Sequence, residues 1–230
     1  MISVIIPAFN EAGTLESFLR NLLGEPGDFE VILADGGSSD GTLEVLRRFP
    51  EVRLARSGGG RARQMNEGAR HARGEVFFFL HADTSLPRDA FSKIQRSLDD
   101  PTIAAGSFSV KFDHPGRFFR VLSCFSRINH RFFTYGDQGL FLRACTFHRI
   151  GGFKGISVME DVEIQERLRR IGRFIKLKDP VVTSARRYLR NGPLRQHLIT
   201  TGVVLLYHLG VSPHLLGRWY YGGLRRQEIR

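Results

Sequence analysis

Short apolar runs alternate with helically spaced apolar residues through the first hundred positions of the chain. Runs rich in β-branched or aromatic residues predict buried strands, and leucines or alanines that recur every three or four positions predict helices. Glycine, proline or aspartate closes most of these stretches. The predicted strands are 2–6, 29–34, 52–55 and 76–80, and the predicted helices between them contain 15–22, 43–46 and 61–72.

Beyond residue 100 the periodicity is looser. Partial alternation predicts a strand at 104–112, and a short apolar run predicts another at 139–142. Apolar residues between 118 and 132 fall on one helical stripe, and 160–171 is a second helical pattern. The apolar segment 198–211 is shorter than the roughly 20 residues that a membrane-spanning helix needs, so it predicts a buried or interfacial helix.

The order of these elements predicts an α/β fold. Strands that alternate with helices form a mostly parallel central sheet with helices on both faces. A chain of 230 residues suits one large domain or one domain with an appendage, and the charge of the last 45 residues favours the second. We therefore expect a domain over 1–185 and a basic helical extension, packed on it, over 186–230.

Composition narrows the class of protein. Hydrophobic residues make up 42% of the chain and charged residues 25%, which excludes a disordered, collagen-like or integral-membrane polypeptide. The two cysteines cannot build a disulfide framework or a four-cysteine zinc site. No basic leader precedes the first apolar run, so we expect no signal peptide and a cytoplasmic protein.

The net charge of +11 indicates a phosphate-bearing partner. Residues 186–230 hold eight arginines against one acid, so they carry +7 of that excess. The partner could be a nucleic acid, an anionic lipid or a nucleotide diphosphate. Together with the basic, aromatic stripe at 117–133, the extension indicates contact with an anionic membrane surface at the inner face or with a lipid-linked acceptor. The alternative is that the stripe packs in the core and the arginines are solvated.

Polar segments follow three of the predicted parallel strands. They are residues 7–11, 35–40 and 81–84. Ligands bind at the carboxyl ends of strands in open α/β sheets. A single acid at such a place caps a helix just as readily, but three polar ends on one edge predict a site that contains carboxylates.

Asp83 ends the most apolar strand, so its carboxylate is expected at the rim of the sheet. An oxygen ligand there suits Mg²⁺ or Mn²⁺ shared with substrate phosphates. The alternative is a cap for the helix after Pro87. His81 faces the same way two residues earlier, although a single histidine at such a position is more often packed in the core.

Two further segments have possible roles at the same edge. Asp35 precedes two glycines and could accept a hydrogen bond from a ribose or a base, or simply form a turn. Arg61 and Arg63 open a helix after three glycines, an arrangement that binds anions. Glu160 and Asp161 begin another helix, where the helix dipole favours acids; beside a cation and phosphates, a carboxylate there could act as a general base.

Six segments together resemble the family-2 glycosyltransferases of GT-A fold. They span roughly residues 2–171 in the family's order. A bacterial subgroup associated with arsenosugar biosynthesis is the part of the family that the chain resembles most, in the segments GRARQMN, LHADT, GDQGLF and MEDVE. The segments are SVIIPAFNEAGTL, ILADGGSSDGT, GGGRARQMNEGA, FFFLHADT, GDQGLFLR and GGFKGISVMEDVEIQERL.

The resemblance implies a role for each matching position. Asp161 would be the catalytic base, and Asp83 would hold the Mg²⁺ or Mn²⁺ ion. His81 stands where the family's Asp-x-Asp motif has its first Asp, which leaves the ribose contact open. The nucleotide sugar would be bound by Pro7, Ala8, Asn10, Glu11, Asp35, Arg61, Arg63 and His81, and the acceptor and donor sugars would be bordered by Gly136, Asp137, Gln138 and Glu160.

The implied reaction is an inverting, non-processive transfer of one sugar from a UDP- or GDP-linked donor. The Gln-x-x-Arg-Trp motif of processive synthases is missing, and residues 186–188 are its nearest remnant. The acceptor is then a small or lipid-linked molecule, and no nucleic acid is involved.

Two other functions remain possible from the sequence. A nucleotidyltransferase would place a glycine-rich basic loop where residues 7–11 stand. A non-enzymatic nucleic-acid or phosphate binder would explain the charge of +11 but not the acids at the strand ends.

Overall fold

The computed structural model describes residues 1–225, and of residues 131 and 222–225 it describes the backbone alone. All the strands named below lie within these residues. The end of the predicted extension, 226–230, falls outside the described residues. The strands are β1 (Ile2–Ala8), β2 (Phe29–Asp35), β3 (Val52–Arg56), β4 (Val76–Phe79), β5 (Thr84–Ser85), β6 (Ile103–Phe112), β7 (Leu140–Arg143) and β8 (Arg173–Thr183).

The helices alternate with these strands in the first hundred residues and dominate the end of the chain. Two short 3₁₀ helices, Arg131–Phe133 and Gly136–Gln138, precede β7. The α-helices are α1 (Ala12–Leu23), α2 (Thr42–Leu46), α3 (Arg61–His71), α4 (Ala90–Leu98), α5 (Arg117–Ser126), α6 (Ala144–Arg149), α7 (Glu160–Ile171), α8 (Arg186–Asn191), α9 (Pro193–His208) and α10 (Pro213–Arg225).

The strands form one mixed sheet in the order β3-β2-β1-β4-β7-β6-β8-β5. The four strands of the first hundred residues before β5 pair in parallel, as the alternation predicts. β7 runs antiparallel to both of its neighbours, β4 and β6, and β6 pairs in parallel with β8. Because β7 is reversed, its first residue lies at the edge where β4 ends.

Helices cover both faces of the sheet, which confirms the predicted α/β architecture. In β1 the side chains alternate between two apolar clusters. Val4 and Ile6 pack in the cluster that contains the apolar face of α1 and α4. Ile5 packs in the cluster with Met65 of α3 and Ile164 of α7. A strand buried on both faces reads as a continuous apolar run, and this is the pattern that the sequence has at 2–6.

β8 was not expected from the sequence. Its polar residues interrupt any simple alternation, and a register shift separates the Phe108–Leu177 pair from the Ser109–Pro180 pair. The two extra residues, Lys178 and Asp179, form a bulge that local periodicity does not reveal.

The stripe predicted at 118–132 is not one helix, because α5 ends at Ser126. Lys176 of β8 reaches the end of that helix. Its Nζ donates to the carbonyls of Ser126, Ile128 and Phe133 at 2.8, 3.2 and 3.0 Å. A cation at the carboxyl end of a helix satisfies carbonyls that have no partner within the helix.

The C-terminal helices pack on the start of α7 through a separate apolar cluster. Val203 and Val204 of α9 and Leu216 of α10 meet Met159 and Val162 there. The predicted helical segment 198–211 corresponds to the second half of α9, which ends at His208, and no described helix is long and apolar enough to cross a membrane. A boundary between 185 and 186 fits the loop that separates β8 from α8 and stays a prediction.

Candidate active site

A cavity of about 840 Å³ opens where β4, β6 and β8 end. It is lined by side chains from several elements that are distant in sequence. Eight of the residues predicted for the site line it: Arg61, His81, Asp83, Gly136, Asp137, Gln138, Glu160 and Asp161.

The topology explains why these residues meet. His81 and Asp83 follow the end of β4, and the 3₁₀ helix Gly136–Gln138 precedes β7, which runs antiparallel to β4. The end of one strand and the start of its antiparallel neighbour lie at the same edge of a sheet. The first turn of α7 adds Glu160 and Asp161 to that edge.

Asp161 is held by two backbone N–H groups. Gly136 N donates to its Oδ2 at 2.5 Å, and Val162 N donates to its Oδ1 at 2.8 Å. A Cβ on Gly136 would lie 3.1 Å from Asp161 Oδ2 and 3.4 Å from His81 Nε2. Because Gly136 has no side chain, its backbone can approach both groups. The hydrogen bond from Gly136 N then fixes the direction in which the Asp161 carboxylate points.

Met159 has a left-handed backbone conformation, with φ 68°, immediately before α7. Residues other than glycine, asparagine and aspartate seldom adopt this region. The turn directs the chain so that the next two residues, Glu160 and Asp161, start the helix at the cavity wall. Non-glycine residues with such strain cluster at functional sites.

The carboxyl groups of the cavity perturb one another. Burial raises the pKa of Asp137 to about 6, and the nearby Asp161 and Asp83 carboxylates contribute to that rise. Asp137 Oδ1 has no hydrogen-bond partner among the described residues. Burial also raises the pKa of Glu160 to about 7, with help from Asp161, although Arg61 at 3.7 Å opposes the shift. Raising the pH from 5 to 8 therefore increases the negative charge of the cavity.

His81 and Asp83 are also shifted, each toward its neutral form. Burial, followed by the charge of Arg61, lowers the pKa of His81 well below its ordinary value, so the imidazole is neutral near pH 7. Burial raises the pKa of Asp83, and Arg186 is the largest opposing influence. Asp83 Oδ1 accepts a long hydrogen bond of 3.4 Å from Thr84 Oγ1.

Asp83 does not cap a helix. Thr84 and Ser85 form the short strand β5, and α4 begins only at Ala90, with Asp89 at the N-cap position. The Asp83 carboxylate is instead part of the cavity wall. This geometry removes the alternative interpretation of Asp83 as a helix cap.

The donor set fits a hard divalent cation shared with a ligand. No group of three or more His, Cys, Asp or Glu side chains within residues 1–225 is arranged to hold a metal ion without other ligands. Mg²⁺ and similar ions often take one or two carboxylates and complete their shell with water and substrate phosphates. Asp83 can supply such a ligand, and Asp137 Oδ1, which accepts no hydrogen bond from the described residues, is a second carboxylate oxygen in the same cavity.

The predicted nucleotide-binding residues near β1 and β2 lie beside this cavity but do not line it. Asp35 accepts hydrogen bonds from the N–H groups of Gly37 and Ser38 at 3.0 and 3.2 Å. Asn10, with φ 55°, accepts from Ser39 N at 2.9 Å through Oδ1. The two loops are thereby tied together at the ends of adjacent strands, where Ala8 pairs with Asp35.

The remaining predicted contacts differ in their surroundings. Pro7 is the penultimate residue of β1. Glu11 lies 3.5 Å from Arg186 of α8, which links this loop to the C-terminal helices. Arg63 is exposed beside Gly58 and does not line the cavity, unlike Arg61. The pair of arginines predicted for one anion site is therefore divided, with Arg61 directed to the carboxylate cluster.

Gln64, which no sequence pattern indicated, joins the ends of the two strands. Its buried Nε2 donates to the carbonyls of Ala8 and Ala34 at 2.6 and 3.1 Å. A Cβ on Gly36 would lie 2.7 Å from the same nitrogen, so a glycine is needed at that turn. The sequence shows only a glutamine beside Met65 in the predicted helix; its burial, and with it the need of the amide for partners, appears in the structure.

Comparison with known proteins identifies the family. The family model described as Glycosyl transferase family 2 matches residues 3–159. An uncharacterized glycosyltransferase of Bacillus subtilis, YfnE, is 37% identical over 98 residues, which are 40% of this chain and 25% of that relative. The chain thus aligns with a quarter of the length of that relative.

Solved structures confirm the fold. The mannosyltransferase PcManGT from Pyrobaculum calidifontis, in complex with GDP-Man and Mn²⁺, superposes with a TM-score of 0.66 at 25% identity over 95% of this chain and 69% of that one. TarS of S. aureus, in complex with UDP-GlcNAc, has a TM-score of 0.63 at 19% identity and covers 80% of this chain and 58% of its own. The fold is of GT-A type, and the chain belongs to glycosyl transferase family 2.

Proposed function

We propose that the protein transfers one sugar from a UDP- or GDP-linked donor to a hydroxyl of a small or lipid-linked acceptor, with inversion at the anomeric carbon. The observation that carries this proposal is the placement of Asp161, oriented by Gly136 N–H, in one cavity with Asp83 and Arg61. This arrangement combines a base, a cation ligand and an anion-binding side chain around one space.

The nucleotide would bind at the ends of β1 and β2. Asn10 joins the two loops through Ser39 N, Asp35 folds its own loop through Gly37 N, and both loops offer backbone and side-chain polar groups there. From that position the diphosphate would extend toward Arg61 at the start of α3, where three preceding glycines leave the backbone accessible. The two proteins of similar fold support this assignment, since PcManGT was solved with GDP-Man and TarS with UDP-GlcNAc.

Asp161 would act as the general base. Its carboxylate is fixed by Gly136 N–H and Val162 N–H, and it would take the proton of the acceptor hydroxyl as that oxygen attacks the anomeric carbon. Arg61 would stabilise the charge that develops on the departing diphosphate. Glu160, paired with Arg61, would position that guanidinium.

Asp83 would hold the divalent ion, either Mg²⁺ or Mn²⁺. When bound, such an ion neutralises charge on a leaving diphosphate. The neutral imidazole of His81 lies near the same space and can accept or donate a hydrogen bond to the donor. The Mn²⁺ ion in the structure of PcManGT supports a divalent ion in this role.

A panel of nucleotide sugars tests the proposed function. The purified protein is incubated with UDP- and GDP-sugars in the presence of Mn²⁺ or EDTA, and release of the nucleoside diphosphate is measured. We expect slow hydrolysis of one donor class, because water replaces the acceptor, and no release in EDTA. If no donor is bound or cleaved under any of these conditions, the proposal is wrong.

The C-terminal extension would bring the enzyme to an anionic membrane surface. Leucines and a tryptophan on α9 and α10 are strongly exposed, among them Leu198 at 62% and Trp219 at 54%, and Leu209 just after α9 is 79% exposed. No acid occurs between residues 186 and 227, where seven arginines are found. Exposed apolar residues beside arginines are typical of helices that lie at a lipid interface.

Membership of the arsenosugar-associated subgroup likewise stays a prediction.

Vesicle sedimentation tests the membrane contact. At low salt the protein should sediment with vesicles that contain phosphatidylserine but not with vesicles of phosphatidylcholine alone, because the arginines are attracted to anionic headgroups. Raising the salt concentration should release it, since screening weakens charge attraction. Protein that stays in the supernatant with both kinds of vesicle at low salt would contradict the proposal.

A further inference from the structure

The cavity has a second wall that the catalytic residues do not explain. Alongside the charged groups, α5 and α9 line it with apolar side chains. Phe125 stacks on Phe133 with ring centroids 5.6 Å apart, which closes this wall near the end of α5. The apolar members from the two helices include Phe118, Val121, Leu122, Phe125, Val203 and Leu205.

The apolar wall continues to the outside of the molecule. Val121, Phe125 and Leu205 line the cavity, yet they are 54, 47 and 53% exposed. Residues that are both lining and exposed lie at the rim of an opening. Large exposed apolar side chains at the mouth of a cavity mark a surface that binds an apolar ligand.

The donor does not account for this space. Asn10 and Asp35, which are assigned to the nucleotide, lie outside the cavity at the ends of β1 and β2. Arg61 and His81, assigned to the same ligand, line the charged side of the cavity together with Asp83. The part of the cavity between α5 and α9 is then left for the acceptor.

A small polar acceptor would leave this wall uncovered. The cavity of about 840 Å³ is near the upper end of the usual range of roughly 300–1,000 Å³ for ligand sites. Four polar residues of α9 also line it: Gln196, His197, Thr200 and Thr201. Two of them are paired with each other, since Gln196 Nε2 donates to Thr200 Oγ1, and Gln196 Oε1 accepts from Asn191. The His197 ring packs edge-on against Phe118 of α5, so it belongs to the aromatic side of the wall.

We propose that the acceptor is an amphiphile whose hydroxyl reaches Asp161 while an apolar chain lies between α5 and α9. The inference rests on the proposed function and decides between its two acceptor classes in favour of the lipid-like one. The chain enters past Val121, Phe125 and Leu205, and the hydroxyl lies at the opposite, charged wall. Apolar surface of the chain and of the helices leaves water together, which supplies the affinity.

Alkyl glucosides of increasing length test this inference. Calorimetry measures binding of hexyl, octyl and decyl β-glucoside to the full-length protein, below the concentration at which each forms micelles, with methyl β-glucoside as the reference. We expect the dissociation constant to fall about fourfold for each CH₂ that is buried. Equal affinity for methyl and decyl glucoside would overturn the proposal and favour a small polar acceptor.

Two leucines of α9 provide a matched pair of variants. Leu205 lines the cavity, whereas Leu198 lies on the same helix, is 62% exposed and does not line it. Leu205→Asp should weaken decyl glucoside binding by about tenfold or more, because a charge would stand against the chain. Leu198→Asp should bind it as the unsubstituted protein does. Equal losses in both variants would indicate nonspecific surface binding and overturn the proposal.

Donor cleavage in the same samples separates this inference from the proposed function. If a nucleotide sugar is cleaved but affinity does not depend on chain length, the amphiphilic acceptor is wrong and the transferase proposal stands. If no nucleotide sugar is bound or cleaved, the proposed function fails, and with it the role of the cavity between α5 and α9 as an acceptor site. Because the length series uses the unsubstituted protein, it decides the question even if Leu205→Asp does not fold.

Discussion

Asp161→Asn should lower kcat by about 10²–10⁴-fold, the usual contribution of a general base. The amide has nearly the shape of the carboxylate but cannot take the proton of the acceptor hydroxyl. One oxygen can still accept from Gly136 N–H, so the loop before β7 keeps its contact. The dissociation constant of the donor should therefore change little, and the loss should appear in the rate of transfer.

A carboxyl on the same helix controls for this change. Glu166 lies on α7, contacts His208 at 3.3 Å and does not line the cavity. Glu166→Gln should transfer sugar at close to the parent rate, measured as product formed under saturating donor. If Asp161→Asn also retains the parent rate, Asp161 is not the base. Glu160, whose pKa burial raises to about 7, would then be the next residue to test.

The half of the site at β1, β2 and β4 was predictable because its signals are local. A buried strand leaves a continuous apolar run, and the polar residue that ends the run must lie at the sheet edge. Asp35, His81 and Asp83 were found in this way, and the structure places the last two in the cavity. The pairing of these strands could be predicted without information on distant contacts, because strands joined by single helices usually pair in parallel with a near neighbour.

The other half depends on contacts between distant residues. Gly136 and Asp161 are 25 positions apart and meet only because β7 enters the sheet antiparallel. Periodicity gives the length of a strand but not its direction. In the same way, the aromatic stripe at 117–133 showed a helical period, yet only the packing of α5 against α9 reveals that it lines a cavity. The resemblance to a known family supplied what the local patterns could not.

The electrostatics of the site were likewise hidden in the sequence. Asp137 follows a glycine in a polar segment and would pass for a solvated residue, but burial raises its pKa to about 6 and leaves Oδ1 without a described partner. Four acids within one cavity, Asp83, Asp137, Glu160 and Asp161, oppose folding through mutual repulsion and desolvation. Such an arrangement is retained where a cation or a reaction uses it, because functional sites are where strongly perturbed groups cluster.

Asp83→Ala should abolish the dependence of donor binding on divalent ions. A metal supplies several kcal/mol of charge stabilisation in such sites, and a loss of about 3 kcal/mol corresponds to roughly a hundredfold. Binding of UDP or GDP, measured by calorimetry with Mn²⁺, should weaken by about that factor, and turnover should fall with it. In EDTA the parent and the variant should bind the nucleotide equally, because neither then has the ion.

The comparison with and without metal is what makes this prediction specific to ion binding. A variant that was merely unfolded would lose nucleotide binding in EDTA as well. Loss of an ion ligand, in contrast, removes only the gain in nucleotide affinity that Mn²⁺ provides. Asp179→Asn is a suitable control, since Asp179 is exposed, pairs with Lys93 at 3.0 Å and does not line the cavity. If Asp83→Ala keeps the parent's gain in affinity on addition of Mn²⁺, Asp83 does not hold the ion. The unpartnered oxygen of Asp137 would then be the strongest remaining ligand in the cavity.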